Sequence, residues 1–341
     1  MQDRPRIRSG PARWWLALAA VVLLAACSSR DGAADGPDRR AEADAASTTS
    51  TTDASRTTTT IDAGAPPTSP SVQCAGTLDG PTTEEYRELP GVTPSLTSLD
   101  VYRRPGATGC PAVIWVHGGG WATGDKRGKA IDKKVAWAGE LGAVLVSVNY
   151  RLATPGSDVG WPDIGEDVAA ATAWVLDHAD VLGVDPSRVA LMGHSAGAHL
   201  VTIVATHPDL LRDVGVDRAE IACVVALDSA SYDLTAEDQD SRALIRSAFG
   251  TDPTTLADAS PILQLQLDPG GVPDTLVVTR GSAARVGMAE ELAAAIRATG
   301  ATSEVLDATP YTHEEVNTLL GTADDAVMTP VVDDFLTPCL A

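Results

Sequence analysis

Residues Val189–Leu200 read VALMGHSAGAHL. An apolar run enters Gly193-His194-Ser195-Ala196-Gly197, and a helix-forming run leaves it. A serine with glycine two residues to either side, between a strand and a helix, marks a sharp turn in which neighbouring backbone passes where a Cβ would clash. Such a turn presents Ser195 as a candidate nucleophile. The helix N-terminus behind it supplies N–H groups and a positive dipole for a developing oxyanion. The same stretch constrains the fold, because its strand needs a sheet and its helix must lie on that sheet.

The rest of the chain fits this demand. Strand-like runs are Ser98–Arg103, Ala112–His117, Ala143–Tyr150, Arg188–Gly193, Ile221–Leu227, Thr275–Thr279 and Thr302–Leu306. Helical patterns occupy Gly128–Leu141, Asp163–Leu182, Ala196–Thr206, Val286–Thr299 and Glu314–Phe335. Continuous Val/Ile/Leu runs indicate strands buried on both faces, and their alternation with helices predicts βαβ units in a mostly parallel sheet. Ser229–Gly271 is longer than a simple crossover and predicts a small cap.

A second motif, VIWVHGGGW at Val113–Trp121, follows an earlier strand. Consecutive glycines let backbone N–H groups turn toward a substrate oxygen, so Gly118 and Gly119, with the N–H of Ala196, are the candidate oxyanion hole. His117 is expected to support this loop, and Trp121 either to line a substrate pocket or simply to pack. The chain has six histidines. His178 and His207 read as surface residues, while His194 and His199 flank the nucleophile. Only His313, in PYTHEEVN, follows a late strand and opens a helix, so it is the candidate base. Asp228, in CVVALDSASYDL, stands just past a strand, at the carboxyl edge where ligands and catalytic groups collect. It is the candidate acid. Asp307, Asp233 and the absence of any acid remain open, although Asp233 looks more like a turn cap.

The segments HGGGWATGDK, VSVNYRL, GVDPSRVALMGHSAGAHL, YDL and HEEVNTLLG resemble the α/β-hydrolase superfamily. Within it the sequence is similar to small esterases related to hormone-sensitive lipase and to bacterial feruloyl/acetyl-xylan esterases. The resemblance covers about Leu99–Phe335. It implies an eight-stranded, mostly parallel sheet flanked by helices, and serine carboxylester hydrolysis through an acyl-enzyme, with no cofactor and no metal. The ester, small or polymer-linked, is not specified. GHSAGAHL also resembles arylformamidases, and an anchored binding protein with impaired catalysis is a third possibility. One stretch departs from the family pattern. Where an acid is expected after the strand Thr275–Thr279, the chain has Arg280-Gly281-Ser282-Ala283-Ala284, so the acid position falls on Ala284. The roles of Ser282 and Arg285 are left open between substrate and loop.

The N-terminus stands apart. Arg4, Arg6, Arg8 and Arg13 precede the apolar run Trp14–Ala26, which ends in LAAC. This resembles a bacterial lipoprotein signal over residues 1–26, with Cys27 as the acylated first residue of a mature protein on the outer face of the cell membrane. Residues 27–71 are Ser/Thr/Ala/Pro-rich and too poor in apolar side chains to fold, so they read as a disordered tether. Residues 72–341 would form the catalytic domain. The net charge is −21, and it becomes −24 once the four arginines and one aspartate of residues 1–26 are lost. That argues against nucleic acid as a partner. Cys223 lies in an apolar strand and reads as a buried thiol. One disulfide is expected among Cys74, Cys110 and Cys339, with Cys339 favoured. Oligomeric state is not legible.

Overall fold

The computed structural model describes residues 73–236 and 242–341. The signal at 1–26, the lipid attachment at Cys27 and the tether at 27–71 lie outside the described residues. No helix among the described residues is long and apolar enough to cross a membrane.

The sheet has eight strands: β1 (Asp79–Glu85), β2 (Ser98–Arg103), β3 (Cys110–Val116), β4 (Val144–Val148), β5 (Val184–His194), β6 (Cys223–Leu227), β7 (Asp274–Thr279) and β8 (Ser303–Asp307). Their order is β1-β2-β4-β3-β5-β6-β7-β8. Strand β2 runs antiparallel to β1 and β4, and every other pair is parallel. Seven strands match the sequence pattern. The eighth, β1, is polar, carries Pro81 and is almost wholly exposed, as an edge strand can be. It therefore leaves no hydrophobic signature.

The helices are α1 (Ile131–Leu141), α2 (Asp163–Asp177), α3 (Ala179–Leu182), α4 (Ala196–Thr206), α5 (Arg242–Phe249), α6 (Pro253–Asp258), α7 (Pro261–Leu267), α8 (Ala283–Ala298), α9 (His313–Thr318) and α10 (Met328–Cys339). Period-two alternation sends β3 residues to two different cores. Ile114 and Val116 pack with Val168 of α2 and Leu200 of α4 on one face. Val113 and Trp115 pack with Trp137 of α1 and Val332 of α10 on the other. Helices α5–α7 fill the expected cap between β6 and β7.

Several boundaries differ from expectation. The pattern over Glu314–Phe335 breaks into α9 and α10. Gly321 turns left-handed (φ +77°) against Trp137, where a Cβ would lie 2.4 Å from the Trp137 Cβ. Asp325 then accepts the N–H groups of Val327, Met328 and Thr329, which starts a new helix. Helix α8 begins earlier than expected because Ser282 caps it, accepting from the Arg285 N–H at 3.4 Å. That settles Ser282 as a loop residue. His207 is buried beside Asp258 and is not a surface residue.

The cysteine expectations also change. Two disulfides form, Cys74–Cys110 and Cys223–Cys339. Cys223 is not a free thiol. Cys339 is paired, yet with a strand cysteine that reads as pure core. Both face the layer between the sheet and α10, so the bond fastens the last helix beneath β6.

Candidate active site

The β5–α4 turn is as tight as its glycines demand. Ser195 has φ 57° and ψ −117°, and its N–H donates to Leu227 O at 2.8 Å. A Cβ on Gly193 would lie 2.3 Å from Gly197 O, and one on Gly197 would lie 2.1 Å from Val116 O. The glycine loop after β3 closes on the same point, since a Cβ on Gly118 would come within 3.0 Å of the Ser195 Cβ.

Register carries the other groups to this edge. His194 pairs with Leu227, and Leu227 with Val278, so β5, β6 and β7 end together. Asp228 follows β6, Arg280 follows β7, and His313 opens α9 after β8. A reciprocal capping box between Thr312 and Glu315 fixes the start of α9. His313 Nε2 lies 2.9 Å from Ser195 Oγ, and His313 Nδ1 lies 2.6 Å from Asp228 Oδ2. An ionised carboxylate only accepts, so Nδ1 carries the proton and Nε2 faces the serine hydroxyl as acceptor.

Asp228 is fully buried and takes two further donors. Arg280 Nε donates to Oδ2 at 2.7 Å, and Arg285 donates through a terminal nitrogen to Oδ1 at 2.6 Å. Burial pushes the carboxyl pKa up, but the hydrogen bonds from His313 and Arg285 and the Arg285 charge outweigh it, and the pKa falls from 3.8 to about 2. The structure thus brings Ser195, His313 and Asp228 together. Asp307 and Asp233 instead accept from Thr309 and Thr235 in their own turns.

Supporting contacts surround these residues. His117 donates through Nδ1 to Gly118 O at 2.8 Å and stacks on Tyr150, so it braces the glycine loop. His194 is held neutral by burial and by the charge of His313, with its pKa lowered to about 3. Its Nε2–H donates to His313 O at 2.9 Å. Trp121 is buried and donates to His199 Nδ1, and His199 Nε2–H donates to Ala259 O. Trp121 therefore both packs and lines a cavity beside the serine. The sequence reading did not find the roles of His194, His199, Arg280 and Arg285. The available signal was a pair of arginines flanking the loop that lacks its acid.

Two cavities meet at Ser195. A larger one of about 480 Å³ runs past Gly118, Gly119 and Glu314, and a smaller one of about 240 Å³ past Trp121, Ala196 and Arg280. Among the described residues, four non-glycine residues have positive φ, and three of them, Trp121, Ser195 and Asp228, line the smaller cavity. Such conformations cost about 1–3 kcal/mol each and cluster at functional sites.

Comparison with known proteins gives a consistent picture. The family model BD-FAE matches residues 99–268. The esterase LipQ of Mycobacterium tuberculosis is 31% identical over 253 residues, 70% of this chain and 58% of that protein. The probable carboxylic ester hydrolase LipM of the same organism is 40% identical over 114 residues, covering 33% of this chain and only 26% of LipM. The chain thus matches about a quarter to three fifths of the length of these relatives. Among solved structures, Thermogutta terrifontis esterase 2 phosphonylated by sarin aligns with a TM-score of 0.63 and 21% identity, over 76% of this chain and 95% of that one. A truncated carbohydrate esterase from gut microbiota aligns with a TM-score of 0.62 and 19% identity, over 80% and 99%. With the strand order, the turn at Ser195 and helices on both faces of the sheet, these likenesses establish that the chain has the α/β-hydrolase fold.

Proposed function

We propose that the protein is a serine carboxylester hydrolase working through an acyl-enzyme. The observation that carries this reading is the unbroken chain Ser195 Oγ–His313 Nε2–His313 Nδ1–Asp228 Oδ2, at 2.9 and 2.6 Å. Ser195 Oγ attacks the ester carbonyl carbon while its proton passes to His313 Nε2. Asp228 holds the imidazolium that forms. The carbonyl oxygen takes the negative charge and meets the N–H groups of Gly118, Gly119 and Ala196. These groups donate to no protein acceptor among the described residues, and the Gly119 carbonyl is turned away into its own turn with Ala122 and Thr123. Collapse breaks the bond to the leaving alcohol, which takes the proton from Nε2. Water then attacks the acyl-serine, again giving its proton to Nε2. Breakage of the acyl–Oγ bond releases the acid, and Oγ recovers the proton. The names of the relatives, esterase and carboxylic ester hydrolase, support this reaction class. Cys27 is its proposed lipid attachment site, with the domain held outside the cell membrane by residues 27–71.

A fluorophosphonate probe and side-by-side turnover of an aryl ester and N-formylkynurenine test the proposal. The folded wild type is expected to label and to cleave the ester, and Ser195→Ala to do neither. Failure of the folded wild type to label makes the chain a binding protein. Formamide cleavage with an ester rate near zero makes it an amidase. Labelling cells with a fatty-acid analogue tests the anchor, which requires lipid on the wild type and none on Cys27→Ala.

A further inference from the structure

The loop after β7 carries two arginines where the resemblance leads one to expect an acid, and both turn toward Asp228. Neutralising one carboxylate, already bonded to His313, needs only one guanidinium. The second is surplus charge, and both have donors left over. Arg280 uses Nε alone, and its two terminal nitrogens have no protein acceptor among the described residues. Arg285 gives Nε to Arg280 O and one terminal nitrogen to Asp228, which leaves the other terminal nitrogen without one. Their side chains are 25% and 15% exposed, and what they face is the smaller cavity beside Ser195.

Charge divides the two cavities. Among the described residues, the smaller is lined by Arg280, Arg285 and a single carboxylate, Asp228, with the hydroxyl-bearing Ser229 and Ser231 beside them. The larger is lined by Asp125 and Glu314 against Lys129. A positive pocket next to the nucleophile is therefore set against a negative one, in a chain whose net charge is −21. An anionic arm is repelled on one side of the serine and held on the other. The planar fork of a guanidinium matches a carboxylate in particular. At about 240 Å³ the smaller cavity is below the roughly 300–1,000 Å³ of a whole-ligand pocket, so it takes a short arm of the substrate.

We propose that the preferred substrates are esters bearing a carboxylate on the arm seated in this smaller cavity, recognised by the unspent donors of Arg280 and Arg285. This rests on the ester-hydrolase reading above.

Two matched pairs test it. Monomethyl adipate against methyl hexanoate places the charge on the acyl arm. The O-acetyl ester of γ-hydroxybutyrate against butyl acetate places it on the alcohol arm. In one pair the wild type is expected to favour the anionic member in kcat/KM by roughly ten- to a hundredfold, as charge-assisted hydrogen bonds provide. Added salt should erode the preference. Arg280→Met should bring the ratio toward unity, and Arg280→Lys should keep part of it. If Arg280 only positions Asp228, Arg280→Met slows both members equally and the unchanged ratio overturns the proposal. A measurement on the wild type alone guards against a misfolded variant. Hexanoate should inhibit neutral-ester hydrolysis at least tenfold more strongly than hexanamide, and equal inhibition counts against the proposal. Brisk neutral-ester turnover with no preference in either pair defeats the carboxylate site and leaves the ester hydrolase standing. A folded wild type that cleaves no ester and takes no fluorophosphonate defeats both.

Discussion

Replacing Asp228 by asparagine gives the most informative single perturbation. The new side chain has the same shape, and asparagine tolerates the φ of 52° at this position, so the backbone has no reason to move. What changes is the donor count. Asp228 Oδ1 receives Arg285, and Oδ2 receives both Arg280 and His313. An amide has one oxygen and one NH2 for these positions. Arginine never becomes an acceptor, but His313 can by changing tautomer, so where the NH2 takes the Oδ2 place it faces both Arg280 and His313 and His313 is the partner that yields. His313 Nδ1 must then lose its hydrogen, Nε2 must carry it, and Nε2 can no longer take the Ser195 proton. Loss of the correct tautomer costs about four decades in kcat in a triad of this kind, so kcat/KM is expected to fall roughly 10³- to 10⁴-fold. Stability should change too. A carboxyl lowered from 3.8 to about 2 contributes about 2 kcal/mol at neutral pH. Between those values the unfolded chain holds more protons, so this contribution is present above the unfolded value and lost as pH falls through about 2. The variant should melt roughly 4–8 °C lower at pH 7, and the gap should close in acid. Initial rates on an aryl ester and circular-dichroism melts read both effects, with Asp233→Asn and Asp307→Asn as controls. An Asp228→Asn enzyme within tenfold of wild type, or a control that loses as much, would refute the reasoning.

Other consequences concern the scaffold. His194→Ala removes the Nε2–H donor to His313 O, and kcat should drop about tenfold with KM nearly constant, as loss of one buried hydrogen bond predicts; a change confined to KM contradicts the assignment. Lys134 is fully buried, donates to Asn317 O and Oδ1, and is drawn by burial and then by Lys133 from 10.5 to about 7. The unfolded chain holds this proton up to a higher pH than the folded one, so wild-type stability should gain on Lys134→Met as pH rises from about 7 to about 10. Denaturant melts across that range measure the difference, and a constant gap counts against it. Removing the Cys223–Cys339 bond, which spans 116 residues, should cost about 3–5 kcal/mol in denaturant melts. Removing Cys74–Cys110, which spans 36, should cost about 1 kcal/mol less, and the reverse order would contradict a chain-entropy origin.

Much of the framework can be read from local pattern. Seven strands announce themselves because strands buried on both faces must be apolar throughout, and the turn at Ser195 because a Cβ on Gly197 would lie 2.1 Å from Val116 O. What stayed hidden depends on partners distant in the chain. Strand β1 is polar because it lies at an edge. Cys223 reads as core because nothing near it in sequence indicates that α10 returns against it. His194 and His199 look like accessories of the serine motif, yet each holds a distant main-chain carbonyl, of His313 and of Ala259. Periodicity records which face a side chain occupies and carries no record of which distant carbonyl it meets.

The position of Asp228 and the chemistry of the loop after β7 are one adaptation. Strand β7 lies between β6 and β8, so an acid after β6 must reach past the end of β7 to meet a histidine that follows β8. Asp228 itself is fully buried, and burial is the largest influence on the carboxyl, acting to protonate it. The hydrogen bonds from His313 and Arg285 and the Arg285 charge oppose it, and the pKa falls to about 2. Arg285, from the loop where Ala284 stands in place of an acid, shares that work with His313. Positive charge there thus helps to keep an acid ionised at the end of β6. An acid at Ala284 beside the present Asp228 would place two carboxylates against one histidine, and a loop that lost both arginines would raise the Asp228 pKa.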